Sequence, residues 1–207
     1  VVTGWMSGKM YFPPALAKLN LITDPEANKW MRKFIHKFVR ELKNEKAIIM
    51  WDLGNECNCM GRLPAKGPFP NTDEAYVWTA MVRDAISSED NTRPISSGMH
   101  SLGERGWKIE DQGEICDMLT THPYPSPIVG SDKEPYNRIR MTLVPTVQSL
   151  YYSGVGKKPV YIQESGTFSK ARGNADMSAQ FMRIQILSAL ANGLSGYQWW
   201  CAWEQEQ

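Results

Sequence analysis

An α/β fold of the (β/α)-barrel type is what this sequence predicts, on three observations. Apolar strand-like runs alternate with helix-like periodic stretches along the whole chain, the pattern of a parallel sheet with helices outside it. Polar or aromatic residues gather just after the carboxyl ends of nearly all the strands, and one-sided clustering of that kind suits a barrel better than a doubly wound sheet. No dinucleotide fingerprint or phosphate loop occurs; Gly4-Trp-Met-Ser-Gly8 is not one.

The elements follow in order. Val1 to Trp5 reads as the end of a strand and Met6 to Pro14 as the loop after it. Thr23-Asp24-Pro25-Glu26 opens a helix, with a capping residue, a proline in the first turn and an acid near the positive end of the dipole. Trp30, Phe34, Phe38 and Leu42 recur every four residues with Met31, Ile35 and Val39 beside them, a broad apolar face expected to pack on a sheet. His36 falls off that face and is expected at the surface. Ala47 to Trp51 is too short for an ordinary helix and reads as a strand buried on both faces.

A loop from Cys57 to Pro70 carries Gly61, Pro64, Gly67, Pro68 and Pro70, and long loops after strand ends are often binding loops. Asn71 to Glu74 has capping-box spacing and opens a helix to Ser87. Asn91-Thr-Arg-Pro94 is a turn. Strands follow from Pro94 to Met99, ending at His100, and from Ile115 to Thr121, ending in His122-Pro-Tyr-Pro125. A helix from Pro135 to Tyr152 is closed by Gly154 and Gly156. A strand Val160–Gln163, a helix Asp176–Ala191 and a strand Gly196–Ala202 complete the chain, giving six strands.

Two strand ends carry the chemistry. Ala47-Ile-Ile-Met-Trp-Asp-Leu-Gly-Asn-Glu56 and Val160-Tyr-Ile-Gln-Glu164 are both apolar runs that end in a glutamate. A carboxylate at the end of a buried strand is costly unless it is paired or faces a cleft. Two such glutamates suggest the carboxylate pair that flanks a glycosidic bond during hydrolysis.

Composition narrows the field. The chain has 207 residues, 42% hydrophobic and 22% charged, which suits a single globular domain over residues 1–207. The net charge is +1 with no basic block, so nucleic-acid binding has little electrostatic support. No apolar stretch approaches the roughly 20 residues a membrane span needs. Aromatics make up 11%, with eight Trp, more than core packing alone needs; the surplus suits sugar-stacking platforms. Cys57, Cys59, Cys116 and Cys201 read as free, mostly buried thiols. Cys57-Asn-Cys59 lacks the spacing and the second pair of a zinc site.

Trp51-Asp-Leu-Gly-Asn-Glu56, His122-Pro-Tyr124, Pro159-Val-Tyr-Ile-Gln-Glu164 and Gly196-Tyr-Gln-Trp-Trp200 together resemble the clan A glycoside hydrolases. The likeness is greatest to the cellulase- and mannanase-like family 5, with the family 2 barrel domains next. It implies a (β/α)8 TIM barrel and a retaining double displacement on β-linked hexosides, with an oligo- or polysaccharide substrate and no cofactor or metal. It implies Glu56 as acid/base after Asn55 at strand four and Glu164 as nucleophile at strand seven. Tyr124 would hydrogen-bond the nucleophile, and Asn55 would hold the 2-hydroxyl. His100 and His122 would be sugar-binding donors, and Trp199 or Trp200, with Trp200 favoured, would floor the sugar subsite; Trp5 and Trp203 are further subsite walls or core. A retaining enzyme needs the two carboxyl groups about 5–5.5 Å apart. By this counting residues 1–5 are strand three. Strands one and two, the helix after strand eight and an arginine near strand two then fall outside the chain, so these 207 residues are expected to be unstable and inactive alone.

Two rival readings remain at this point. One is a non-catalytic carbohydrate-binding barrel, against which both glutamates argue. The other is a metal-dependent barrel hydrolase using Glu56, His100, Asp117 and His122, which lacks a His-x-His or His-Glu-x-x-His pattern.

Overall fold

The structure, a computed structural model, describes residues 4–6, 9–62, 69–100, 106–125, 134–167 and 174–201. Val1–Thr3 of the first expected strand, the side chain of Trp5, Pro64, Gly67 and Pro68 of the expected loop, and Trp203 lie outside what is described. The chain divides into two compact units, Val1–Leu119 with Val155–Lys158 and Thr120–Gly154 with Pro159–Gln207.

In the first unit, β1 (Gly4–Met6) and β2 (Lys9–Tyr11) pair antiparallel, Trp5 opposite Met10. A loop was expected at Lys9–Tyr11. Three residues are too few to show a period, so the second strand left no signal.

Helix α1 (Pro25–Leu42) begins where expected, and Asp24 Oδ1 accepts from the backbone N–H of Glu26 and Ala27. Its buried row is Ala27, Met31, Ile35 and Val39, not the aromatic row beside it. Trp30 stays 49% exposed, and Phe34 and Phe38 are exposed as well. Both rows have spacing four, so periodicity alone could not choose between them. Helix α1 packs on α2 (Thr72–Ser87), and slimmer side chains suit the close approach of two helices. His36 is half-exposed, as expected, with Nδ1 3.1 Å from Glu89 Oε1.

Strand β3 is only Trp51–Asp52. The expected run from Ala47 is not buried on both faces: Ile49 is 76% exposed. The reason lies in the turn before the next strand. Arg93 Nε takes the Ile48 carbonyl at 2.7 Å, so that group leaves the sheet ladder for a side chain. From Trp51 onward the backbone pairs parallel with β4 (Ile95–Ser96), Trp51 opposite Ile95 and Asp52 opposite Ser96. Ser96 in turn bridges Met118 in parallel.

The capping box at Asn71 and Glu74 is present in full. Instead of an unbroken loop, a 3-10 helix runs from Cys57 to Arg62. Ile115 ends a short helix, α3 (Ile109–Ile115), and β5 begins only at Leu119. Two turns interrupted by Gly113 carry little periodicity. Gly113 is there for space: a Cβ would overlap the Gly156 carbonyl.

In the second unit, Thr120 and Thr121 of β5 (Leu119–Thr121) lie in a three-stranded sheet of order β5, β6 (Val160–Ser165), β7 (Tyr197–Trp199). Strand β6 reaches past the expected Gln163 and includes Glu164, and it pairs parallel with β7. Helix α4 (Ile139–Gly156) tolerates Pro145 and runs through both glycines expected to close it. Lys157 makes the left-handed exit instead, at φ 53°. Helix α5 (Ala175–Ala191) is capped by Asn174, whose Oδ1 accepts from Met177 N. The core of this unit holds Phe181, packed on Tyr136 (5.6 Å between ring centroids) and on Trp199 (6.4 Å).

All four cysteines are free thiols. Burial pushes the Cys116 thiol up to about 12, which leaves it unreactive.

Candidate active site

The first unit builds a tight turn after β3. Asp52 organises it: Oδ1 accepts from the Gly54 N–H at 2.9 Å and Oδ2 from Ser96 Oγ at 2.7 Å. The chain then turns through Gly54 (φ 151°) and places Glu56 at φ 50°. A glutamate in the left-handed region is uncommon and costs energy, and such strain persists where surrounding structure enforces it. The enforcing bond runs from Glu56 N to the Gly98 carbonyl at 2.8 Å. Gly98 itself sits at φ 60°, and a Cβ there would overlap Asp52 Oδ1 and the Gly54 carbonyl.

The Glu56 side chain is 13% exposed, with Oε1 3.3 Å from His100 Nδ1. The backbone N–H of His100 donates to Asn58 Oδ1 at 3.0 Å. Asn55 is half-buried beside Glu56. Asp117, weighed as a metal ligand, is engaged otherwise: Oδ2 accepts from the Ile95 N–H at 2.9 Å.

The second unit builds around Glu164, which is 15% exposed near the end of β6. The Tyr124 hydroxyl donates to Glu164 Oε1. His122 Nδ1 lies 3.4 Å from Glu164 Oε2, on a side chain with 0% exposure. The other ring nitrogen, Nε2, is 3.1 Å from Gln163 Oε1. Each oxygen of Glu164 thus faces a different neighbour, and the carboxylate is held in one orientation.

Strand β7 ends at Trp199, so Trp200 lies just past it rather than on the same strand. Trp199 packs edge-on against Phe181 of α5. Trp200 is half-buried just past β7, its N–H donating to the Ser165 carbonyl at 2.8 Å, and it precedes a cis peptide bond to Cys201.

Glu56, Asn55 and His100 therefore come together in the first unit, and Glu164, Tyr124 and His122 in the second. Three supporting residues escaped sequence reasoning. Asp52 and Gln163 stand inside the two quoted motifs, where their roles had no signal apart from their neighbours. Asn58 gave no signal at all.

Residues 11–153 match the family model described as glycosyl hydrolases family 2, TIM barrel domain. That is one of the two families the strand-end motifs resemble. A curated relative, mannan endo-1,4-beta-mannosidase A of Podospora anserina, is 28% identical over 102 residues, 49% of this chain and 22% of that protein. Two solved structures share the fold. The exo-beta-1,4-mannosidase Op5Man5 from Opitutaceae bacterium strain TAV5 is 23% identical with a TM-score of 0.80, over 96% of this chain and 37% of its own. GH5_18 from Streptomyces cattleya, in complex with GlcNAc, is 17% identical with a TM-score of 0.84, over 96% of this chain and 50% of its own. The chain thus spans half or less of the length of each of these relatives.

Proposed function

Because the chain belongs to the glycosyl hydrolases family 2 TIM barrel domain, we propose that it is the catalytic part of a retaining glycoside hydrolase that cleaves β-mannosidic bonds. The single observation that carries the reading is the setting of Glu164. A carboxylate near the end of a buried strand, with Tyr124 on one oxygen and His122 by the other, is equipped to stay ionised and attack an anomeric carbon.

In this reading Glu56 delivers a proton to the leaving oxygen while Glu164 forms the glycosyl-enzyme. The anionic charge on Glu164 is consumed in that step, Glu56 becomes the base for water, and the second displacement restores the original anomeric configuration. Asn55 holds the 2-hydroxyl, a contact that strengthens in the transition state. His100 orients the Glu56 carboxyl group, and Trp200 floors the sugar subsite. The substrate class rests on the relatives, a mannan endo-1,4-beta-mannosidase and an exo-beta-1,4-mannosidase.

A panel of aryl β-glycosides on the full-length protein tests the proposal. The β-mannoside should be turned over fastest, with the product released first as the β-anomer by proton NMR. A 2-fluoro-mannosyl inactivator should label Glu164. A label on any other residue, or α-anomeric first product, would sink the assignment.

A further inference from the structure

We infer that Gln163 is a positioning residue for the nucleophile, acting through His122. The inference rests on the reading of Glu164 as nucleophile. The His122 side chain is 0% exposed and meets a neighbour at each ring nitrogen, Glu164 Oε2 at Nδ1 and Gln163 Oε1 at Nε2. An ionised carboxylate only accepts hydrogen bonds, so the nitrogen facing it carries a proton. The opposite nitrogen then has two ways to be satisfied: its N–H donates to the amide oxygen of Gln163, or its lone pair accepts from the amide NH2 after a flip. Both arrangements keep Nδ1–H aimed at Glu164.

A primary amide, which both donates and accepts, can do this in either protonation state of the ring. Without it, Nε2 is a buried imidazole nitrogen lacking this partner, and the ring gains from turning or from moving its proton to the wrong side. Either change takes the Nδ1 donor away from Glu164 Oε2, one of the contacts that orient the carboxylate. Gln163 precedes Glu164 on β6, so strand and histidine together form a closed brace around the nucleophile.

The test uses the full chain with Gln163→Met and Gln163→Glu. Three readouts are taken: the ring-nitrogen 15N spectrum of His122, steady-state rates on an aryl β-mannoside, and the rate of Glu164 labelling by a 2-fluoro-mannosyl inactivator. In the parent, Nδ1 should report as protonated. In Gln163→Met that fixed state should be lost, and kcat and the labelling rate should fall roughly tenfold with KM unchanged, less than the hundredfold that a full ångström of misplacement costs. Gln163→Glu, which keeps the shape and offers an acceptor to Nε2–H, should restore the Nδ1–H signal; it also covers the case in which the Met variant does not fold. An unchanged His122 spectrum with an unchanged labelling rate in Gln163→Met overturns the inference. Labelling elsewhere than Glu164 in the parent overturns the underlying reading instead. The histidine spectrum needs no substrate and still judges the brace by itself.

Discussion

Arg93 Nη1 lies 2.6 Å from Asp90 Oδ2 in a largely buried ion pair. The same guanidinium donates to three backbone carbonyls, Lys43 and Ile48 at 2.6 and 2.7 Å and Glu45 at 3.0 Å. Asp90 Oδ2 also accepts from Trp51 Nε1 at 2.9 Å. One arginine therefore ties the end of α1 to the turn before β4 and, through Asp90, to the strand that leads to Glu56. Lysine would keep the charge and lose the fork. Asp90→Asn is expected to lower stability by about 3 kcal/mol, the lower end of the cost of removing one partner from a buried pair, and Arg93→Lys, which keeps the charge but loses bonds to the carbonyls, by about 1–3 kcal/mol. Urea unfolding read by tryptophan fluorescence checks this, and a midpoint matching the parent's would contradict it.

Acid should act through the same corner. Burial alone would raise the Asp90 carboxyl, but hydrogen bonds from Thr92, Trp51 and Arg93 outweigh it and hold it well below the usual carboxylate range. The Arg40 hydrogen bond, aided by His36 against burial, brings Glu89 down to about 2. Both folded-state values lie below the unfolded ones near 4, so the unfolded chain binds protons first. The stability these groups supply is complete above about pH 5 and drains away as the pH falls toward 2. A urea midpoint that is flat from pH 5 to 2 would show the linkage to be absent, and Asp90→Asn should flatten part of the slope.

Gly98 carries a cost in two ways if substituted. Alanine at φ 60° is strained, and its Cβ would press on Asp52 Oδ1 and the Gly54 carbonyl. Gly98→Ala should cost about 1–3 kcal/mol or more. It should also loosen the 2.8 Å bond that holds Glu56 N. Thermal melting measures the first effect, and kcat on an aryl mannoside with a poor leaving group, where acid assistance matters most, measures the second.

Tyr124→Phe removes a single hydroxyl from Glu164. A lost preorganised donor typically costs about 10²-fold in kcat. The loss should fall on kcat with KM little changed and the melting temperature within a degree or two of the parent, because Phe fills the same space. Wild-type kcat in this variant would remove Tyr124 from the machinery.

Several features were legible along the chain because each depends on neighbouring residues alone. Asp24 and Asn71 cap α1 and α2 where their spacing said they would. Glu164 lies on a short apolar strand as read, since such a run bounded by Lys157-Lys158-Pro159 and Gly166 has few other options. What failed to show were choices among equivalent local patterns. Two spacing-four rows compete on α1, and tertiary packing buried the slimmer one. Ile48 and Ile49 look like strand, yet Arg93, 45 residues away from Ile48, takes the Ile48 carbonyl. Helix α3 is too short to announce itself.

The order of residues alone decided that helices alternate with short apolar strands, that Glu164 lies near the end of one of them and Glu56 shortly after another, and that the chain resembles a sugar-cleaving barrel. Periodicity and capping are local, and local chemistry is written into neighbouring positions. Only the tertiary structure decided that Glu56 sits in a left-handed turn braced by Gly98, that Trp199 turns to Phe181, and that His122 stands between Gln163 and Glu164. Those relations join residues tens of positions apart, and they exist only when packing makes the groups meet.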